Sequence, residues 1–249
     1  EQSPDLAERL RGWCPQARLI ERNRRSESWV RDDADVIQLE GPLGHFNIAV
    51  QPNLSHRYAG RRVLNTQSRN NNIAWILDWI RYYIAVHGAD AVLIHDNNST
   101  DYTCEELHQA IAHTFPTIIS DVVPWPFPFG PQGGMAGAVN GVEAPWDSDY
   151  CQTGSLQHAR FRFLGKARSV LNVDIDELVL SPSGQSIFEA TENSRHGFTK
   201  FEGRWVSATT PHAVAPEACR HGDFWLRDRT ETDECPPKWC VVPAKTSRK

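Results

Sequence analysis

From Arg61 onward the chain alternates between apolar runs and polar loops in a regular rhythm. "RRVLNTQSRNN" reads as a short strand over residues 63–66 followed by a polar loop. In "NNIAWILDWIRYYIAVHG", residues Ile73, Ile76, Leu77, Ile80, Tyr83, Ile84 and His87 recur at helical spacing. Asn71 or Asn72 is placed to cap that helix, and Gly88 to end it. "AVLIH" then gives a buried strand that stops at Asp96, and Ser99, Thr100 or Asp101 is placed to cap a second helix, "YTCEELHQAIAHTF". "TIISDVVPW" is a third strand. "PWPFPFGPQGGMAG" carries too much Pro and Gly for regular structure. Residues 124–141 are therefore expected to form a mobile loop beside a binding cleft. "DSDYCQTGSLQHARFRFLG" reads as a helix with Cys151, Leu156, Ala159 and Phe163 on one broad face. The apolar run 169–173 is a strand that ends in Asp174, Asp176 and Glu177. "QSIFEATENS" suggests a short helix and "GFTKFEGRWV" a further strand.

The first 60 residues lack this rhythm. A short helix is expected over residues 4–12, and a strand in "HFNIAVQPNL", from His45, broken at Pro52. Residues 1–60 are accordingly an N-terminal extension of uncertain structure, and residues 61–249 one domain.

Strands alternating with helices predict an α/β fold: a Rossmann-like, mainly parallel sheet with helices on both faces. Ligands of such folds bind beyond the carboxyl ends of the strands. Asp96 follows one strand, and Asp174 and Asp176 follow another, so order alone sets these carboxylates on one edge of the sheet.

Composition narrows the picture. The 249 residues are 40% hydrophobic and 23% charged, ordinary values for a globular protein, with a formal net charge of -5. That balance argues against a nucleic-acid partner. The basic stretch "RNRR", Arg22 to Arg25, reads as a solvated face. No apolar stretch reaches the ~18–20 residues of a membrane-spanning helix, and no signal peptide is visible in "EQSPDLAERL". Cys14, Cys104, Cys151, Cys219, Cys235 and Cys240 show no zinc-ligand spacing. They read as thiols of a cytoplasmic protein, with a local Cys235–Cys240 disulfide as the alternative in an exported one.

Carboxylates inside an apolar run are costly unless paired, hydrogen-bonded or bound to a cation. On an extended segment Asp174 and Asp176 project to the same side, and Glu177 to the other, where it is expected to fix the loop through a hydrogen bond. Two carboxylates without a neighbouring His or Cys suit Mg2+ or Mn2+ shared with a diphosphate rather than a closed structural metal site. The alternative is that one acid caps a helix or pairs with an arginine such as Arg168. For Asp96, in "HDNNSTD", hydrogen bonding to a nucleoside and plain turn chemistry are both open.

These motifs carry a resemblance. "NNIAWILDWIRYYIAVHGADAVLIHDNNSTD", "LQHARFRFLGKARSVLNVDIDELVL" and "PPKWCVVP" resemble, in this order, segments of GT-A fold glycosyltransferases, closest to glycosyltransferase family 92 and its bacterial relatives. The Asp96 loop is similar to that of family 2 enzymes. The likeness spans about residues 61–243. Leu178 stands where the family has Phe, and the family's pattern runs on to a His-containing segment not found before "AKTSRK". The resemblance implies a GT-A type domain and a metal-dependent glycosyltransferase, a hexosyltransferase of polysaccharide biosynthesis. Asp174 and Asp176 would be its Asp-x-Asp metal motif for Mn2+ or Mg2+. Thr66, Asp96, Asn98, Gln157, Asp174 and Lys238 would surround a nucleotide-sugar donor, a UDP-sugar favoured. The acceptor would be a glycan or a lipid-linked group, and the location cytoplasmic, including a membrane surface, or the Golgi lumen in a eukaryote. Glu202, Asp223 and Asp228 are unranked candidates for the catalytic base, and Trp125, Phe127 and Phe129 for a sugar-stacking wall. Two other readings stand beside this one: a non-catalytic nucleotide-sugar or sugar-binding module, and a haloacid dehalogenase-type phosphotransferase with Asp174 as nucleophile.

Overall fold

The computed structural model describes residues 18–22, 27–30, 35–41, 44–129, 150–215, 218–228 and 235–246. The helix expected over residues 4–12, most of the Pro- and Gly-rich loop, and Cys14 lie outside them. The chain divides into two compact units. Glu1–Asn53 with Phe127–His158 form the first, and Leu54–Pro126 with Ala159–Lys249 the second.

The described residues of the first unit form two antiparallel hairpins and a helix. Strand β1 (Arg18–Arg22) pairs with β2 (Glu27–Val30), and β3 (Val36–Gly41) with β4 (Gly44–Ala49). Only β4 was legible from its pattern. Helix α3 (Tyr150–His158) belongs to this unit.

The second unit is an α/β sandwich on a six-stranded sheet. Its strands are β5 (Arg62–Ser68), β6 (Ala91–Asp96), β7 (Ile119–Pro124), β8 (Ser169–Asn172), β9 (Phe198–Gly203) and β10 (Cys235–Val241). They lie in the order β7-β6-β5-β8-β10-β9. The first four are parallel, and β10 runs antiparallel to both its neighbours. The sheet is thus mixed, mostly parallel, and compatible with a Rossmann-like fold.

Sequence patterning explains the local elements. Helix α1 (Ile73–His87) starts at Asn72, whose side chain accepts from the Ala74 N–H, and ends at Gly88, left-handed at φ 70°. Helix α2 (Cys104–Thr114) starts later than expected. Thr103, not Ser99, Thr100 or Asp101, caps it, because Thr103 and Glu106 form a reciprocal capping box. The helix expected through "QHARFRFLG" changes character after His158: residues Ala159–Phe163 are π-helical and Leu164–Lys166 form a 3-10 turn. Helix α4 (Ile187–Asn193) and the short α5 (Pro243–Thr246) complete the unit.

The two sheet faces bury different partners. Leu64, Val92, Ile94, Leu171 and Cys240 face α1, α2 and α4 through Ile76, Trp79, Ile80, Tyr83, Leu107, Ile111 and Phe188. Val63, Ala91, Leu93 and Val170 face Tyr58, Ala159, Phe163 and Leu164. Regular helices therefore cover one face, while a turn around Tyr58 and the π and 3-10 turns cover the other. Handedness explains the division. Right-handed crossovers from β5 to β6 and β7 put α1 and α2 on one face. Residues Ala159–Lys166, which lead into β8 on the far side of β5, pack on the other face. The strand order reverses between β5 and β8, which in open α/β sheets makes a crevice at their carboxyl ends.

Candidate functional site

In register, Ser68 of β5 pairs with Asp96 of β6, and Asn65 with Asn172 of β8. Asp96 and the turn that begins at Asp174 therefore lie on one edge of the sheet, on either side of β5, as strand order implied.

At Asp96 the turn chemistry is built. One carboxylate oxygen accepts from the Ser99 N–H at 3.0 Å and the other from the Ser99 hydroxyl at 2.5 Å. Asn97 donates its backbone N–H to Ser68 O at 2.8 Å, and its side chain to Trp125 O at 2.7 Å. Trp125 in turn donates to Asp96 O at 2.8 Å and packs edge-on against His95. Asn98 is exposed with φ 58°, a left-handed geometry Asn tolerates. The loop is also knitted to the exit of β5: the Thr100 N–H reaches the Asn70 side chain at 2.7 Å.

Beyond β8 the backbone does not stay extended. The Glu177 N–H donates to Asp174 O at 3.1 Å, closing a turn around Ile175 and Asp176. The expected same-side projection of Asp174 and Asp176 along an extended strand is thereby corrected. Ile175 is buried in the helix-side core, which anchors the turn, and Asp176 is exposed. Glu177 bends back, and its carboxylate accepts from the Asp174 N–H at 2.9 Å. This is the loop-fixing hydrogen bond expected of it. The cation beside the acids is Lys238, whose ammonium lies 2.5 Å from Asp174 Oδ2 and 3.2 Å from Glu177 Oε1. Antiparallel β10 delivers it, since Trp239 pairs with Asn172, the last residue of β8. The run Pro236–Pro237, unable to donate N–H groups, coincides with a break in register between Cys235 and Lys238. Burial works against the Lys238 charge, but the hydrogen bond and charge of Asp174, helped by Glu177, outweigh it and raise its pKa. Burial is also the main cause of a raised pKa at Glu177. Arg168 does not serve the acids; it pairs with Glu192 at 2.6 Å.

Helix α1 holds the turn from behind. The Tyr83 hydroxyl donates to Glu177 O at 3.0 Å and accepts from the Val179 N–H at 3.0 Å. Tyr82 donates to Val179 O at 2.6 Å. On another side, His221 donates from Nε2 to Ile175 O at 2.6 Å, and its Nδ1 is buried with no partner among the described residues. Trp75 braces this segment by donating to Cys219 O at 2.7 Å, and Arg220 pairs with Asp78 at 3.0 Å. Nothing in the sequence pointed to His221. Tyr83 and His87 were visible only as members of a core face.

The remaining sequence candidates are dispersed. Thr66 is buried in β5, and its hydroxyl donates to Gln67 O at 3.4 Å. Gln157 lies on α3 in the first unit, its side-chain oxygen buried without a partner among the described residues. Glu202 is exposed on β9, the last strand of the sheet. Asp223 is engaged as a cap, accepting from the Arg220 N–H at 2.7 Å. Asp228 is exposed. Trp125 belongs to the second unit, Phe127 and Phe129 to the first. The expected mobile loop is described only to residue 129; the rest of it lies outside the described residues. No disulfide joins Cys235 to Cys240.

Among the described residues, no three or more His, Cys, Asp and Glu side chains gather as a metal cluster. Two carboxylates in one turn, one of them exposed, are a donor set that fits a hard cation only if a substrate and water complete its shell. No helix of the described residues is long and apolar enough to cross a membrane. Compared with known proteins, the chain matches no family model and no curated sequence.

Proposed function

We propose that the second unit is a GT-A type glycosyltransferase domain that transfers a sugar, a hexose by preference, from a nucleotide-sugar donor to a hydroxyl of a glycan or lipid-linked acceptor. The observation that carries the reading is the carboxyl-edge turn holding Asp174 and Asp176, with the Lys238 ammonium delivered to it from β10, beside the strand-order reversal. Such a crevice is where open α/β sheets take nucleotides. The residue types there match the needs of a diphosphate leaving group: carboxylates for a divalent ion and an ammonium for phosphate oxygens.

Asp174 and Asp176 would hold Mn2+ or Mg2+. Such an ion, when bound, supplies positive charge where the departing diphosphate gathers negative charge. Lys238, anchored on β10, would offer its ammonium to the same diphosphate. Asp96, with Asn98 beside it, would accept hydrogen bonds from the nucleoside through lone pairs that Ser99 leaves open, and Thr66 would shape the floor of the crevice. Of the three base candidates Asp223 is the least suited, because its carboxylate caps the 219–223 segment.

The test is calorimetry of UDP and UDP-sugars with and without Mn2+. Asp176→Asn should abolish the metal-stimulated part of donor binding and leave the fold intact, because Asp176 is exposed and the amide keeps its shape. Equal metal-dependent affinity in variant and parent would remove the metal assignment.

A further inference from the structure

We infer that Lys238 is the resident counter-ion of the acidic turn, and that a divalent cation gains Asp174 only by displacing it, so that metal and diphosphate bind as a coupled pair. This rests on the glycosyltransferase reading above and adds an order to its site.

The geometry sets the competition. The ammonium lies on Asp174 Oδ2 at 2.5 Å, the same carboxylate that would serve the metal. Only 18% of the Lys238 side chain is exposed, against 44% for Asp174, so the ammonium has little water to retreat into. A dication at Asp174 would repel an ammonium at that range. Lys238 therefore needs another anionic partner before it gives up Asp174. Glu177 is half of that partner: at 3.2 Å it already shares the ammonium, and its other oxygen is tied to the Asp174 N–H. A diphosphate would supply the rest. Metal alone then meets an occupied carboxylate, and diphosphate alone meets an ammonium already neutralised. Arriving together, each vacates the partner the other requires. Coupling of this kind is reciprocal, and typically amounts to about 5–150-fold in affinity.

The experiment measures Mn2+ binding from the spin-resonance signal of the unbound ion, with and without UDP, in the full chain. The parent is expected to bind Mn2+ weakly alone and roughly tenfold or more tightly with UDP. Lys238→Gln keeps a neutral donor between the two acids. It should bind Mn2+ alone about tenfold more tightly than the parent, and should lose most of the stimulation by UDP. Lys200→Gln is the charge control, since Lys200 is exposed on β9 and removes the same charge without touching the acids. It should leave both numbers close to the parent's. Glu177→Gln is the second variant in case Lys238→Gln does not fold: by leaving Lys238 to Asp174 alone, it should weaken Mn2+ binding while Lys200→Gln does not change it. If Lys238→Gln and the parent bind Mn2+ equally, and Asp176→Asn abolishes binding in both, the metal site stands and the displacement is overturned. If Lys200→Gln tightens Mn2+ as much as Lys238→Gln, the effect is general electrostatics and the displacement is again overturned. Mn2+ binding that is absent, or indifferent to Asp176→Asn, removes the metal site and the displacement with it.

Discussion

His87 donates from Nε2 to the carbonyl oxygen of Val179 at 2.7 Å, across 92 residues of chain. Its other ring nitrogen, Nδ1, accepts from the Ile187 N–H at 3.2 Å. One neutral imidazole thus closes both ends of the loop that leads from the acidic turn to α4. The Nδ1 bond requires the neutral ring, since a protonated Nδ1 cannot accept, and burial pushes the His87 pKa below its ordinary value, against a smaller opposite effect of the Val179 bond, which the protonated ring can also make.

The pH dependence follows with a definite sign. Unfolded His87 takes a proton near pH 6.5, whereas the folded protein resists it. Its contribution to stability is complete above that value and is lost as pH falls toward the depressed folded pKa. Urea denaturation from pH 8 down to about pH 5 should show falling stability that is flatter in His87→Gln. Parallel slopes in the two proteins would remove His87 from this role.

Tyr83 serves two backbone groups with one hydroxyl. Tyr83→Phe leaves Glu177 O and the Val179 N–H without it, and should cost about 1–3 kcal/mol. Denaturant midpoints give the cost, and hydrogen exchange should report faster opening at the Val179 amide. An unchanged Val179 exchange rate would mean that the segment after the acidic turn does not depend on the Tyr83 hydroxyl.

Glu192 binds Arg62 through two hydrogen bonds of 2.9 Å, pairs with Arg168, and accepts from the Ser169 hydroxyl at 2.8 Å. Burial opposes its charge, but the Arg62 and Ser169 hydrogen bonds and the two arginine charges outweigh that and hold its pKa below the usual carboxylate range. Glu192→Ala strands the largely buried Arg62 and should cost about 2–3 kcal/mol. In the parent this contribution is present above the ordinary Glu pKa and lost as pH falls through the depressed value. A stability-versus-pH curve identical to that of the variant would contradict it.

Gly203 closes the β9–β10 pairing against Cys235, and a β-carbon there would lie 2.3 Å from the Cys235 sulfur and 2.8 Å from its Cβ. Gly203→Ala should destabilise by about 1–3 kcal/mol. Adding Cys235→Ala removes the nearer clash and should restore part of the loss. Thermal melting of the single and double variants checks this; no recovery in the double variant would place the strain elsewhere.

What the sequence determined by itself is local. The spacing of Ile76, Ile80 and Tyr83, with Asn72 before and Gly88 after, specifies α1, because helical periodicity and end chemistry need only neighbours in the chain. The same holds for the apolar runs of β5, β6, β7 and β8, and for the inference that parallel strands bring Asp96 and Asp174 to one edge. Tertiary structure decided what those acids meet. Lys238 is 64 residues from Asp174 and reaches it only because β10 inserts antiparallel between β8 and β9. His221 reaches Ile175 across 46 residues, on a segment with no periodic pattern of its own. The π and 3-10 turns after α3 were equally hidden, since Ala159 and Phe163 keep the i, i+4 spacing of an ordinary helix and meet Tyr58 and the sheet only in the tertiary structure. Side-chain partners separated by long loops leave no mark in local spacing, because the free energy that joins them is gained only after the sheet has assembled.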